Sequence, residues 1–152
     1  MSISNYMKRS VVSIPVTSTV RGAASVFVKN HISFLPIVDK VNKLVGVVGM
    51  RDLLTLVLPD FVNFVADVDF VHDFGAVETT RPLAKVLDQS IKILMKPAIT
   101  VPEDSGLLRA YSLMLQHDLH VMPVVSSDGT LLGVASRVDI GAAILSAWAK
   151  VE

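Results

Sequence analysis

Two short polar stretches combine residue types that can hold an anion or a hydroxyl-bearing ligand. Asp52 and Asp139 each follow an apolar run at the start of a predicted helix, and Ser136 and Arg137 lie three and two residues before Asp139. A carboxylate placed there can accept hydrogen bonds from ligand hydroxyls. A hydroxyl, a guanidinium and the free N–H groups of a helix N-terminus can converge on a phosphate. Each Asp can instead serve only as a helix cap, so both interpretations stay open.

These residues belong to an internal repeat. A shift of 87 residues aligns Ser13–Leu53 with Thr100–Ile140 without a gap. Positions that stay fixed include Pro15/Pro102, Ala23/Ala110, Pro36/Pro123, Gly46/Gly133 and Asp52/Asp139. Two copies of one small unit that pack about a pseudo-twofold axis leave two related clefts. We therefore expect the functional site in these clefts.

Each copy predicts the element order β-α-β-β-α, so the fold class is α/β (α+β). In the first copy we predict strands at Val11–Pro15, Phe34–Val38 and Leu44–Val48, a helix over Val20–Asn30 capped by Ser18, and a helix opening at Arg51-Asp52. In the second we predict strands at Ile99–Pro102, Val121–Val125 and Leu131–Ala135, a helix near Gly106–His117, and a helix from Asp139. Asp128-Gly129 is a strong hairpin signal, whereas Asn42-Lys43 is weaker and favours another turn type.

A Phe-rich segment separates the copies, which gives three parts: repeat 1 at 1–58, the insert at 59–80 and repeat 2 at 81–152. The insert carries Phe61, Phe64, Phe70 and Phe74. We interpret it as packed against the core or a partner subunit, with a lid over one cleft as the alternative. Pro82–Leu94 is predicted to be one amphipathic helix that leads into Met95-Lys96. Met7-Lys8 forms a fainter lead-in to the first copy, with a one-residue slip in the alignment.

Composition narrows the function classes. Fourteen basic and fourteen acidic residues give a formal net charge of zero, so nothing in the overall charge attracts nucleic acid or an anionic membrane. A nucleic-acid contact would depend on a small patch at Lys8, Arg9, Lys92 and Lys96. No apolar run approaches the ~20 residues of a spanning helix, and we expect a cytoplasmic protein. Cysteine is absent, which excludes thiolate and disulfide chemistry.

Catalysis and metal binding find little support in the residue pattern. No nucleophile elbow, Gly-rich phosphate loop or HExxH pattern is present, so we predict that the chain is not an enzyme. The run His117-Asp118-Leu119-His120 brings two histidines and a carboxylate close together. It joins a helix end to a strand start, so the side chains need not converge, and no metal site is predicted.

The order, spacing and duplication of these motifs resemble a CBS domain pair, also called a Bateman module. The second copy contributes the runs Leu94–Val101, Val121–Val125 and Gly133–Ile140. The first contributes Leu35–Val38 and Gly46–Leu53. The resemblance covers nearly the whole chain apart from the Phe-rich insert.

The resemblance implies a sensor that binds an adenosine derivative between the repeats and performs no chemistry itself. AMP, ADP or ATP is the expected ligand class, with S-adenosylmethionine as an alternative. The family motif Gly-h-x-Ser/Thr-x-x-Asp supplies ribose and phosphate contacts, and it maps onto Gly133, Ser136 and Asp139. In the first copy it maps onto Gly46 and Asp52, with Gly49 in place of the hydroxyl residue.

Two sets of site residues follow from the family pattern. The favoured site comprises Thr100, Val101, Pro102, His120, Val121, Met122, Pro123, Ser136, Arg137 and Asp139. The weaker site comprises Ser13, Ile14, Pro15, Ser33, Phe34, Leu35, Pro36, Gly49, Arg51 and Asp52. The resemblance also implies a homodimer that signals to a separate effector protein. The remaining alternative is an interaction scaffold with vestigial clefts.

Overall fold

The computed structural model describes residues 1–57 and 81–150. The first repeat contains β1 (Ile14–Pro15), α1 (Val20–Asn30), β2 (Phe34–Val38), β3 (Leu44–Gly49) and α2 (Met50–Leu54). The second contains α3 (Ala84–Leu87), β4 (Val101–Pro102), α4 (Leu107–Gln116), β5 (Val121–Val125), β6 (Leu131–Ser136) and α5 (Arg137–Ala149). Two 3₁₀ turns, Ile3–Asn5 and Ile91–Ile93, lie in the lead-ins. The Phe-rich insert lies outside the described residues, and so does its predicted packing.

Each repeat builds one three-stranded sheet, and the predicted β-α-β-β-α order is confirmed. In the first sheet β1 runs parallel to β2 and β2 runs antiparallel to β3, with Ile14 opposite Ile37 and Phe34 opposite Gly49. The second sheet repeats this pattern with β4, β5 and β6. The outer strands β1 and β4 have only two residues each, fewer than predicted.

The segment that precedes each repeat, here called its lead-in, contains Met7-Lys8 in the first repeat and Met95-Lys96 in the second. Each lead-in packs into the core of the other repeat. Ile3 and Met7 join the buried cluster formed by the second repeat, while Ile91 joins the cluster formed by the first. The backbone bonds are equivalent, because Ile3 N–H donates to Ser105 O and Ile91 N–H donates to Ser18 O, both at 2.8 Å. This exchange ties the repeats together about the pseudo-twofold axis.

Gly46 and Gly133 are fixed by the close approach of these lead-ins. Lys8 and Val134 exchange two backbone hydrogen bonds of 2.8 and 3.0 Å, and Lys96 and Val47 exchange two of 2.9 Å. A Cβ atom at Gly133 would lie 2.6 Å from the Lys8 carbonyl oxygen, and one at Gly46 would lie 2.9 Å from that of Lys96. Only glycine leaves room for the neighbouring backbone.

The two hairpin turns match each other, which corrects the prediction that the first turn is of another type. Asn42 has φ 64° and Gly129 has φ 88°, so both equivalent positions are left-handed. Asn tolerates this conformation better than most residues, which lets it replace glycine. Leu44 N–H donates to Gly129 O and Leu131 N–H to Asn42 O, both at 3.0 Å, so the turns also hold each other.

Two helix predictions are wrong. Pro82–Leu94 is not one helix: α3 ends at Leu87, Ser90 forms an isolated bridge with Thr19, and a 3₁₀ turn begins at Ile91. The tertiary bonds from Val20 N–H to Gln89 O (2.9 Å) and from Ile91 N–H to Ser18 O (2.8 Å) outweigh helical periodicity there. The cap of α1 is Thr19 rather than Ser18, since the Thr19 side chain accepts from Gly22 N–H at 3.0 Å.

The remaining helices agree with the predicted order but differ at their starts. The final helix begins at Arg137 rather than Asp139, because the Ser136 side chain caps it. Among the helices within 1–57 and 81–150, none has the length and apolar character needed to cross a membrane.

Candidate functional site

Two clefts related by the pseudo-twofold axis lie between the repeats. Cleft 1, about 330 Å³, is lined by Ser33, Phe34, Val47, Gly49, Lys96, Pro97, Ile99, Asp118, Leu119, His120, Val121 and Pro123. Cleft 2, about 310 Å³, is lined by Lys8, Ser10, Val11, Val12, His31, Ile32, Ser33, Phe34, Pro36, Val121, Val134 and Ser136. Both volumes fall at the lower end of the range for small-molecule sites.

Each cleft combines the two repeats, whereas the sequence-based site sets assigned each cleft to a single repeat. The correction follows from the lead-in exchange. The Lys8–Val134 pairing places residues 8–12 beside β6, whose last residue is Ser136. The Lys96–Val47 pairing places residues 96–99 beside β3, whose last residue is Gly49. Ser136 therefore faces the lead-in and β2 of the first repeat, and Gly49 faces the lead-in and β5 of the second.

Strand alternation decides which predicted residues reach a cleft. Eight of them line one: Ser33, Phe34, Pro36, Gly49, His120, Val121, Pro123 and Ser136. Four others point into the core on the opposite face of the sheets and are at most 3% exposed: Ile14, Leu35, Val101 and Met122.

The other predicted residues lie outside the two lining sets. Thr100 lines a separate depression with Leu44 and Pro97. The residues Ser13, Pro15, Arg51, Asp52, Pro102, Arg137 and Asp139 line neither cleft. Asp52 and Asp139 follow Gly49 and Ser136, which line the clefts, by one helical turn.

Sequence reasoning missed the residues just before β1 and β2 and their counterparts in the second repeat. In cleft 2 these include Lys8, Ser10 and His31. His31 and Asp118 occupy equivalent left-handed positions, φ 50° and 52°, after α1 and α4. The similarity between Met7-Lys8 and Met95-Lys96 is the sequence signal that could have identified Lys8 and Lys96 as cleft residues.

Asp139 carries a free acceptor at the edge of cleft 2. The Ser136 hydroxyl oxygen accepts a hydrogen bond from Asp139 N–H at 3.0 Å and caps α5. The Asp139 Oδ2 atom is buried and has no hydrogen-bond partner among the described residues. A buried polar atom is nearly always paired, so this carboxylate oxygen is an exception that a water, an ion or a ligand group could satisfy.

Asp52, the counterpart at cleft 1, has both oxygens engaged. Gly49 N–H donates to Asp52 Oδ2 at 2.7 Å, and Lys96 Nζ lies 3.1 Å from Asp52 Oδ1. Its carboxylate thus serves as an internal cap and ion-pair partner. Asp52 and Asp139 are equivalent in the repeat alignment. Asp139 keeps a carboxylate oxygen without a hydrogen-bond partner, whereas both oxygens of Asp52 are in contact with a donor.

Arg137 does not line cleft 2 beside Ser136. Its Nε donates to the Leu119 carbonyl oxygen at 3.0 Å, and its guanidinium lies 3.5 Å from Asp118 Oδ1. Asp118 and Leu119 both line cleft 1. The positively charged and titratable groups that line cleft 2 are Lys8 and His31.

Known proteins are similar to this chain in sequence or in fold. CBSX1 of Arabidopsis thaliana, a chloroplastic CBS domain-containing protein, is 33% identical over 139 residues, which cover 85% of this chain and 57% of the relative. CBSX2 of the same plant superimposes with a TM-score of 0.75 at 23% identity, covering 99% of this chain and 98% of that one.

Two structures similar to this chain were solved with nucleotides. CBSX2 in complex with AMP matches with a TM-score of 0.72 at 23% identity, covering 97% of this chain and 98% of that one. The CBS domain of a bacterial CNNM/CorC family Mg²⁺ transporter, in complex with ATP, matches with a TM-score of 0.71 at 16% identity, covering 95% and 87%. The CBS domain model matches residues 3–59 and again residues 90–146. This chain therefore belongs to the CBS domain family and contains two tandem copies of that domain.

Proposed function

We propose that this chain is a regulatory module that binds one adenine nucleotide in cleft 2 and signals to a separate partner protein. One observation carries the proposal: the buried Oδ2 of Asp139 has no hydrogen-bond partner, and Asp139 lies one helical turn after Ser136, which lines cleft 2. A ribose offers two adjacent hydroxyls, and a carboxylate is an acceptor suited to them. Binding would supply the hydrogen bond that this oxygen lacks.

The remaining walls of cleft 2 suit the rest of a nucleotide. Val12, Ile32, Phe34 and Val121 provide apolar surface for a flat base. Lys8 and His31 provide positive or protonatable groups, and Ser10 a hydroxyl, for a phosphate. Cleft 1 differs in charge, because its lysine, Lys96, is paired with Asp52, and its lining carboxylate, Asp118, is paired with Arg137. Phosphate is therefore better accommodated in cleft 2.

The bound forms of related proteins support this ligand class. CBSX2 has been solved with AMP and the CNNM/CorC domain with ATP, and both share the fold of this chain. S-adenosylmethionine presents the same base and ribose but carries a sulfonium cation where a nucleotide carries phosphate. Lys8 in cleft 2 favours the anion. The module binds its ligand without transforming it, and its output is a shift in conformational populations.

Calorimetric titration with adenosine, AMP, ADP, ATP and S-adenosylmethionine tests the proposal. We expect one nucleotide per chain, and AMP should bind more tightly than adenosine by about tenfold, which corresponds to one charge-assisted contact. S-adenosylmethionine should bind more weakly than AMP. Absence of binding by every nucleotide at millimolar concentration would contradict the proposal.

Homodimerisation is the second part of the proposal, and the exposed apolar residues of the second repeat favour it. Val138, Leu145 and Trp148 form a stripe on α5 at helical spacing, with Val138 77% and Trp148 68% exposed. Leu108 of α4 lines a hollow together with Trp148. An apolar face of this kind is typical of a surface covered by a partner, and a second copy of the chain can bury it isologously.

Trp148→Glu is expected to convert the dimer to a monomer, because it places a charge in the proposed contact. Light scattering coupled to size-exclusion chromatography measures the mass of each variant. Val41→Lys is the matched control, since Val41 is also apolar and 67% exposed but lies in the first hairpin turn. A monomeric wild type, or a Trp148→Glu variant that stays dimeric, would exclude this interface.

A further inference from the structure

Cleft 1 contains an internal group where a ligand would otherwise bind. Lys96 Nζ lies 3.1 Å from Asp52 Oδ1, and the Asp52 side chain is only 19% exposed. Gly49 N–H occupies the other oxygen at 2.7 Å. Lys96 belongs to the lead-in of the second repeat and lines cleft 1, so the ion pair joins the repeats at the cleft.

The equivalent groups at cleft 2 form no such contact. The backbone of Lys8 is bonded to Val134 just as the backbone of Lys96 is bonded to Val47. Within the described residues, however, the Lys8 side chain makes no ion pair with Asp139, and Asp139 Oδ2 has no partner. The difference begins at the residue that precedes each helix. Ser136 caps α5 with its hydroxyl, whereas Gly49 has no side chain and its N–H is instead bonded by Asp52.

We propose that the Lys96–Asp52 ion pair is an autoinhibitory latch that closes cleft 1 to nucleosides, and that Gly49 and Lys96 determine this selectivity. The inference rests on the proposed function, because it assumes that the aspartate binds the ribose. A ribose that binds Asp52 must share Oδ1 with Lys96 and Oδ2 with the Gly49 N–H, or displace these donors. Asp139 in the second repeat forms no such ion pair, so nucleotide should bind more tightly in cleft 2 than in cleft 1.

Opening the latch is a gain-of-function test. A Cβ atom at Gly49 would lie 3.3 Å from Asp52 Oδ2 and 3.6 Å from the Ser33 carbonyl oxygen, so Gly49→Ser fits with a small displacement of the carboxylate. The Asp139→Ala background weakens cleft 2, and any gain in AMP affinity over that background then reports on cleft 1. Lys96→Met should tighten that binding about two- to fivefold, the range expected for a partly exposed ion pair.

Adding Gly49→Ser should tighten AMP binding by about a further twofold over Asp139→Ala with Lys96→Met, because the serine hydroxyl caps α2 and loosens the contact between Asp52 Oδ2 and the N–H of residue 49. Lys92→Met is the matched control, since Lys92 is an exposed lysine of the same lead-in that lines neither cleft, and it should change nothing. Unchanged or weaker AMP binding by Lys96→Met would overturn the latch. Weaker binding would show that Lys96 serves the ligand.

A second measurement needs no ligand and separates the latch from the proposed function. In urea unfolding, Asp52→Asn and Lys96→Met should be non-additive, with the pair coupled by about two- to fivefold in the unfolding equilibrium constant. Additive effects would overturn the latch even if AMP binds in cleft 2. Failure of every nucleotide to bind the wild type would overturn the proposed function, while the coupling would still decide whether the ion pair exists.

Discussion

Asp139→Ala should weaken AMP binding by about 10- to 150-fold, a loss of about 1.5–3 kcal/mol measured by calorimetry. The reason is that Asp139 Oδ2 is buried without a partner, so its hydrogen-bonding capacity is available to the ribose. The same substitution should change the free energy of unfolding by less than about 1 kcal/mol, because no side-chain hydrogen bond of the described protein is lost with that oxygen.

Asp52→Ala is the matched control. Compared with Asp139→Ala, we expect it to affect the free energy of unfolding more and AMP affinity less. This variant loses the bond from Gly49 N–H and the ion pair with Lys96. We expect it to lower the free energy of unfolding by about 0.5–2 kcal/mol, the cost of a lost helix cap, and to leave AMP affinity within about threefold of wild type. If Asp52→Ala weakened binding more than Asp139→Ala, the nucleotide would be assigned to the wrong cleft.

Gly133→Ala should destabilise the protein by about 2–3 kcal/mol in urea unfolding and should also weaken AMP binding. The added Cβ would lie 2.6 Å from the Lys8 carbonyl oxygen, which is backbone and cannot rotate away. The Lys8–Val134 pairing must therefore open, and with it the wall of cleft 2 formed by residues 8–12. One methyl group is expected to affect both stability and ligand binding.

Gly106→Ala provides the comparison for Gly133→Ala. A Cβ atom at Gly106 meets no atom within 4 Å, and Gly106 has a negative φ of −71° at the start of α4. We expect a cost below about 1 kcal/mol and unchanged AMP affinity. Equal losses from the two substitutions would show that the lead-in does not constrain position 133.

Local pattern was sufficient for most of the secondary structure. The strands Phe34–Val38 and Val121–Val125 and the helix Val20–Asn30 have the predicted bounds, because alternation and helical periodicity are written in neighbouring residues. The prediction of one helix over Pro82–Leu94 was wrong because non-local contacts determine the structure of this segment. Its backbone bonds go to Ser18 and Val20, which lie far away in sequence.

The grouping of residues into clefts was beyond the reach of local pattern. The repeat alignment identified Ser136, Gly49 and the two aspartates, but it gave no sign that the lead-ins exchange between the repeats. That exchange depends on the pairing of Lys8 with Val134 and of Lys96 with Val47. The alignment did predict that the clefts are unequal, from Ser136 opposite Gly49. The contact that Lys96 makes with Asp52 is visible only in three dimensions.

A crystal structure of the protein grown with AMP tests the central claim most directly. We predict one AMP per chain in cleft 2, with its ribose hydroxyls at Asp139 Oδ2, its base between Ile32 and Val121, and its phosphate near Lys8. Cleft 1 should retain the Lys96–Asp52 ion pair. AMP bound at Asp52 with cleft 2 empty, or no AMP in either cleft, would contradict the account.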